Sequence, residues 1–141
     1  MKRATNNDNI VFQWDKQAEQ YPKHGSGITY FKGFYEDCKW VDCLLFYGED
    51  NELQGILNHY PFEKPPYQKK GSVNIQVRSD KRRNGIATAL LDEAIGRFQV
   101  KLKRQEYTPS GDRFIKKYMR YSIKYKLSRR RFSSSLQHIA K

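Results

Sequence analysis

The spacing of apolar residues changes between residues 72 and 98, and that change constrains the chain more than any other feature. In SVNIQVR (72–78) Val73, Ile75 and Val77 alternate with Asn74 and Gln76, the two-residue period of a strand whose faces differ in polarity. From Gly85 onward Ile86, Leu90, Leu91, Ala94, Ile95 and Phe98 recur at three- and four-residue intervals, so residues 85–98 are predicted to form an amphipathic helix packed on a sheet. The chain between them, RSDKRRNG, is a basic turn. The helix then opens with the small residues Ala87, Thr88 and Ala89 and carries no acidic side chain in its first turn.

A helix start exposes unpaired N–H groups and a partial positive charge, so it binds phosphate oxygens wherever its backbone can be approached closely. Gly85 removes the side chain at that point, and the missing Asp or Glu leaves the positive end for an anion supplied from outside. Two common phosphate loops are excluded, because the sequence contains neither G-x-x-x-x-G-K-[ST] nor G-x-G-x-x-G. What stands after the strand is Arg82-x-x-Gly85-x-Ala87.

Other elements are read from the same rules. NIVFQW (9–14) is an opening strand, and the polar, Gly-containing sequence to about residue 33 leaves helix and loop in competition. WVDCLLFY (40–47), GEDNELQ and GILNHYPF (55–62) form an antiparallel hairpin, followed by a loop at EKPPYQKKG (63–71). VKLKRQEY (100–107) is predicted to be a strand. Thr108-Pro109 then starts a second helix, with Thr as N-cap and Pro preorganised for the first position. YSIKYKL (121–127) alternates like a strand yet could also extend that helix.

The Arg82-x-x-Gly85-x-Ala87 spacing, set between an alternating strand and a helix and preceded by a hairpin ending in QGILNHYPF, resembles the acetyl-CoA signature of the GNAT superfamily of N-acetyltransferases. That signature is Arg or Gln, two residues, Gly, one residue, then Gly or Ala. The resemblance covers roughly residues 40–120. It implies one α/β (α+β) domain over residues 1–141, a length suited to a single core. Its mixed, mostly antiparallel central sheet would be flanked by helices and splayed at the strand ending near Val77. It also implies an acyltransferase that moves acetyl from acetyl-CoA directly to an amine.

Carried onto this chain, the resemblance assigns the CoA pyrophosphate to the backbone of Arg83, Asn84, Gly85, Ile86 and Ala87, with the Thr88 hydroxyl close by and Arg82 at the family's basic position. The Val77 N–H would hydrogen-bond the thioester carbonyl, where one preorganised donor is worth ~3 kcal/mol in the transition state. Tyr118, one helical turn after Phe114, resembles the family's proton donor for the departing thiolate, with core packing as its alternative role and Tyr121 as runner-up. His59 is a candidate general base, because an imidazole exchanges protons near neutral pH, against a structural role. Asn74 and Gln76 cannot act as bases, and the chain lacks the Glu that some family members carry on this strand.

Charge divides the chain. Residues 101–141 carry 13 Lys/Arg against two Asp/Glu, whereas residues 1–100 carry 14 against 13. At 100° per residue Arg113, Lys116, Lys117 and Arg120 share one 100° arc opposite Phe114, Ile115, Tyr118 and Met119. This basic segment favours an anionic partner, so nucleic acid is a possible acceptor or ligand, with Tyr107, Tyr121, Tyr125 and Phe132 available for stacking. A nucleic-acid-binding or base-modifying protein on the same scaffold, without acetyl transfer, is the alternative reading. No run spans a bilayer and MKRATNNDN lacks the apolar core of a secretory signal, so a soluble, cytoplasmic protein is expected. Cys38 and Cys43 lack the companions of a zinc site and are expected to be free thiols, with no metal bound.

Overall fold

Four runs of branched and aromatic residues pair into one antiparallel sheet: β1 (Gly27–Phe34), β2 (Trp40–Tyr47), β3 (Leu53–His59) and β4 (Val73–Val77), in the order β1-β2-β3-β4. Two helices follow, α1 (Ile86–Arg97) and α2 (Pro109–Tyr121), with short 3-10 turns at Ser79–Lys81 and Leu102–Arg104. The computed structural model describes residues 27–34, 39–49, 51–63 and 69–129; the strand expected at 9–14, Cys38 and Phe132 lie outside them. The protein is thus of mixed α+β class, and among the described residues no helix is long and apolar enough to cross a membrane.

Register explains the layering. Asp42, Leu44 and Phe46 of β2 pair with His59, Leu57 and Gly55 of β3, and these with Val73, Ile75 and Val77 of β4, so all share the face that meets the helices. There Leu44, Leu57 and Val73 pack with Ile86, Leu90, Leu91 and Ala94 of α1 and Ile115 and Tyr118 of α2. Phe31, Val41, Cys43, Leu45 and Ile56 point the other way and form a second cluster. The hairpin is as predicted, its β2–β3 register shifted at Phe46/Tyr47 and its turn closed by a left-handed Asn51.

Gly55 sets the distance between sheet and helix. A Cβ on it would lie 2.8 Å from Ile86 Cγ2 and 3.2 Å from Leu90 Cδ1, so the first turn of α1 rests directly on the β3 backbone. The Thr108-Pro109 start is also as predicted, since the Gly111 N–H donates to Thr108 Oγ1 at 3.2 Å and Pro109 occupies the first helical position.

Three expectations are corrected. Residues 27–33 belong to β1, held by eight consecutive pairings with β2, where helix and loop had been the alternatives. The strand expected at 100–107 does not form: Val100 and Leu102 are the only aliphatic residues in a charged run, and a 3-10 turn buries Leu102 alone. Consequently no strand beyond β4 exists among the described residues, and the sheet has no partner there from which to splay near Val77. Residues 121–127 resolve differently again. The Ser122 backbone is extended and ends α2, and Ser122 Oγ then accepts the Tyr125 N–H at 3.1 Å to open a new helical stretch over 123–129.

Candidate functional site

The turn between β4 and α1 is built by backbone conformation. Arg78 is the last residue tied to the sheet, its N–H donating to Gln54 O at 2.9 Å and its guanidinium held by Glu52 at 3.0 Å and Asp80 at 3.7 Å. Arg83 (φ 67°) and Gly85 (φ 76°) are both left-handed, with Asn84 between them donating from Nδ2 to Lys81 O at 3.2 Å. A left-handed residue followed by a helical one turns successive N–H groups toward a common concavity, an arrangement that suits anions.

Gly85 is the N-cap of α1 and supplies no side-chain oxygen to the first-turn amides, and no acidic residue lies in that turn. The N–H groups of Ile86, Ala87 and Thr88 therefore retain the unsatisfied donors of a helix start. Arg82, Arg83, Asn84, Gly85 and Thr88 are exposed, Ala87 is half-buried and Ile86 anchors the turn in the core. Nothing lies within 4 Å of where a Gly85 Cβ would be. Seven of the predicted residues, Arg82 to Thr88, thus converge at one accessible helix tip.

Val77 adjoins this tip through β4. Hydrogen bonds from the Tyr60 N–H to Ser72 O at 3.0 Å and from the Arg78 N–H to Gln54 O mark the bonded pairs of the β3–β4 ladder. Alternation then turns the N–H and C=O groups of Val73, Ile75 and Val77 outward, to the free edge. At Val73 that edge is filled by a side chain: Gln105 Oε1 accepts the Val73 N–H and Gln105 Nε2 donates to Val73 O, both at 2.8 Å. Arg82 Nε donates to Val77 O at 3.4 Å. The N–H groups of Ile75 and Val77 have no acceptor among the described residues.

Tyr118 belongs to the same apolar cluster as Val77 and is 5% exposed. Its hydroxyl donates to Asp92 Oδ1 at 2.6 Å, a link between α2 and α1. Burial above all, and then the Asp92 carboxylate, pushes the phenol well above its ordinary range. As placed, the proton serves Asp92. Tyr121, the last residue of the same helix, is 66% exposed.

His59 stands elsewhere. It pairs with Val73, at the opposite end of β4 from Val77 and about 13 Å away along the strand. Its Nδ1 lies 2.9 Å from Asp42 Oδ2, its Nε2 faces Gln99 O at 3.4 Å, and its ring stacks on Phe98 with centroids 4.8 Å apart. The Tyr30 hydroxyl donates to the other Asp42 oxygen at 2.8 Å, and burial followed by Asp42 pushes that phenol up to about 12. These contacts fasten the end of α1 to the sheet. His59 is not brought to the turn.

On the opposite face Asn74 Oδ1 accepts from Gln76 Nε2 at 3.0 Å, and the buried Asn58 Oδ1 has no partner among the described residues. Cys43 is a free thiol, pushed up to about 12 by burial. Among the described residues no group of three or more His, Cys, Asp or Glu side chains could hold a metal ion. No family model matches the chain, and no curated protein or solved structure matches it.

Sequence reasoning missed Gly55, Asp92, Gln105 and the Asp42–Tyr30 pair. Only Gly55 carried a local signal, as an isolated glycine inside an apolar strand. The others act across 12 to 32 residues of chain and leave no trace in periodicity.

Proposed function

We propose that the chain is an acetyl-CoA-dependent N-acetyltransferase of GNAT type that transfers acetyl directly to an amine. The observation that carries this reading is the uncapped, acid-free and exposed N-terminus of α1, immediately beside a strand edge whose Val77 N–H points outward. The residues fit the cofactor: a diphosphate needs converging donors without a neighbouring carboxylate, and Gly85 leaves open space at that point. Arg82 and Arg83 add positive charge at the exposed rim.

Acetyl-CoA supplies an activated acetyl group as a thioester. The amides of Gly85 to Thr88 would hold and orient its diphosphate, and the free edge of β4 would receive the extended arm. With the thioester bound, the Val77 N–H would be placed to donate to its carbonyl oxygen, a stabilisation of ~3 kcal/mol for a preorganised donor where negative charge develops. The thiolate requires a proton. Tyr118 would supply it only after its hydroxyl turned away from Asp92, to which it donates in this structure. His59 lies too far along the sheet to take the proton of the amine, which then passes to water.

Thermal unfolding with acetyl-CoA at about 100 times its Kd should show roughly 2.7 kcal/mol of added stability, a rise on the order of 10 °C in Tm. Gly85→Asp should abolish that rise while leaving the unliganded protein folded, because Asp tolerates the left-handed backbone and caps the helix but repels the diphosphate. Absence of a shift in the unsubstituted protein overturns the cofactor assignment. A shift without thiol release or an acetylated product by mass spectrometry, across peptide, polyamine and nucleic-acid acceptors, overturns the reaction.

A further inference from the structure

The outward face of α2 and the helical stretch after it are more charged than solvation of a core helix requires. Arg113, Lys116, Lys117 and Arg120 are all exposed, while Ile115 and Tyr118 fasten the other side of the helix to the core. One acidic residue sits nearby, Asp112, and it is taken up by Lys116 at 2.9 Å. Past the break at Ser122 the charge continues in Lys124, Lys126 and Arg129, also exposed. None of Arg113, Lys117, Arg120, Lys124, Lys126 or Arg129 forms an ion pair among the described residues.

Aromatic rings are interleaved with these cations. Tyr121 is 66% exposed with the Arg120 guanidinium 6.0 Å from its ring centre, and Arg129 lies 5.8 Å from the ring of Tyr125. Cations that track a phosphate backbone, with an exposed ring on which a base can stack, are the two ingredients of sequence-tolerant single-strand binding. A duplex would use the charges but leave the exposed ring idle.

A lipid surface would also attract this charge, and Ile123 and Leu127 are 74% and 47% exposed. At 100° per residue, however, those two side chains make a narrow strip with Lys126 on one side and Lys124 on the other. Interfacial helices need a broad apolar face, and that of α2 is already committed to the core.

We propose that α2 and residues 123–129 form a docking surface for single-stranded nucleic acid, held by phosphate contacts from the unpaired cations and by stacking on Tyr121. This stands whether or not the turn before α1 binds acetyl-CoA.

The test is fluorescence anisotropy with a labelled oligothymidylate of about 15 nucleotides. If about five phosphates are contacted, the logarithm of affinity should fall with the logarithm of salt at a slope of roughly −3.5, about a hundredfold loss between 50 and 200 mM. The triple variant Arg113→Ala, Lys117→Ala, Arg120→Ala should cut that slope by about half. Lys69→Ala with Lys70→Ala, which removes charge elsewhere on the surface, should leave the slope unchanged. Tyr121→Ala should weaken binding about tenfold or more while preserving the slope.

No binding at low salt, or a slope indifferent to the triple substitution, overturns the surface. Equal affinity for duplex with no effect of Tyr121→Ala overturns the single-strand assignment. Tighter binding to phosphatidylserine vesicles than to the oligonucleotide, lost in Ile123→Ser with Leu127→Ser, would transfer the surface to lipid.

Discussion

Gly55→Ala tests whether α1 is held against β3 by the absence of a single methyl group. In an open strand this change would stabilise the protein by about 0.4–1 kcal/mol, because alanine restricts the unfolded chain. Here the new Cβ would sit 2.8 Å from Ile86 Cγ2, 3.2 Å from Leu90 Cδ1 and 3.4 Å from Gln76 O. Ile86 cannot simply swing aside, since Cγ2 moves only with χ1 and a β-branched residue in a helix has essentially one χ1 well. The backbone of the first helical turn must shift instead, which overpacking data place at about 1–3 kcal/mol of destabilisation. For a chain of this size that lowers Tm by roughly 5–10 °C. Denaturant unfolding should give a lower midpoint at unchanged m-value. Ile86→Ala in the same background should relieve the clash, with a favourable coupling of about 0.5–3 kcal/mol in the double-mutant cycle. A neutral or stabilising Gly55→Ala would refute the close approach, because only the sign separates a clash from the ordinary benefit of removing a glycine.

Two further outcomes follow from the buried polar groups. Gln105→Ala strips the hydrogen-bond partners that the outward Val73 amide and carbonyl have among the described residues; the Val73 amide should then exchange with solvent deuterium much faster and stability should fall by about 1–3 kcal/mol, and unchanged protection would refute the side-chain clamp. Cys43, with its thiol raised from 9.0 to about 12, contributes stability that is complete below about pH 9 and lost as pH rises from there toward 12. At pH 11 that loss is roughly 2–3 kcal/mol, so Cys43→Ala should lose less stability than the unsubstituted protein between pH 8 and 11 in denaturant titrations, and parallel losses would refute it.

The readable parts of the fold were those fixed by local chemistry. Alternation named β4, three- and four-residue spacing named α1, and Thr108-Pro109 named the start of α2, because each signal and its cause lie within a few residues. VKLKRQEY misled for a physical reason: its alternation was real, but a strand there would bury only Val100 and Leu102 while desolvating the three cations Lys101, Lys103 and Arg104. The chain instead extends one side chain, Gln105, to satisfy one residue of β4. The candidate site divides the same way. The turn from Arg82 to Thr88 was legible as a unit, whereas the commitment of Tyr118 to Asp92 and the placement of His59 at the far end of β4 depend on tertiary neighbours.

The Gln105 carboxamide covers a single rung, so the outward amides of Ile75 and Val77 remain a short template on which a second copy of the chain could add a strand. Lys81, Arg82 and Arg83 crowd the margin of that template and oppose such growth by charge repulsion. Any ligand lying along β4 therefore does double duty, since filling the rim also removes the place where self-association would start.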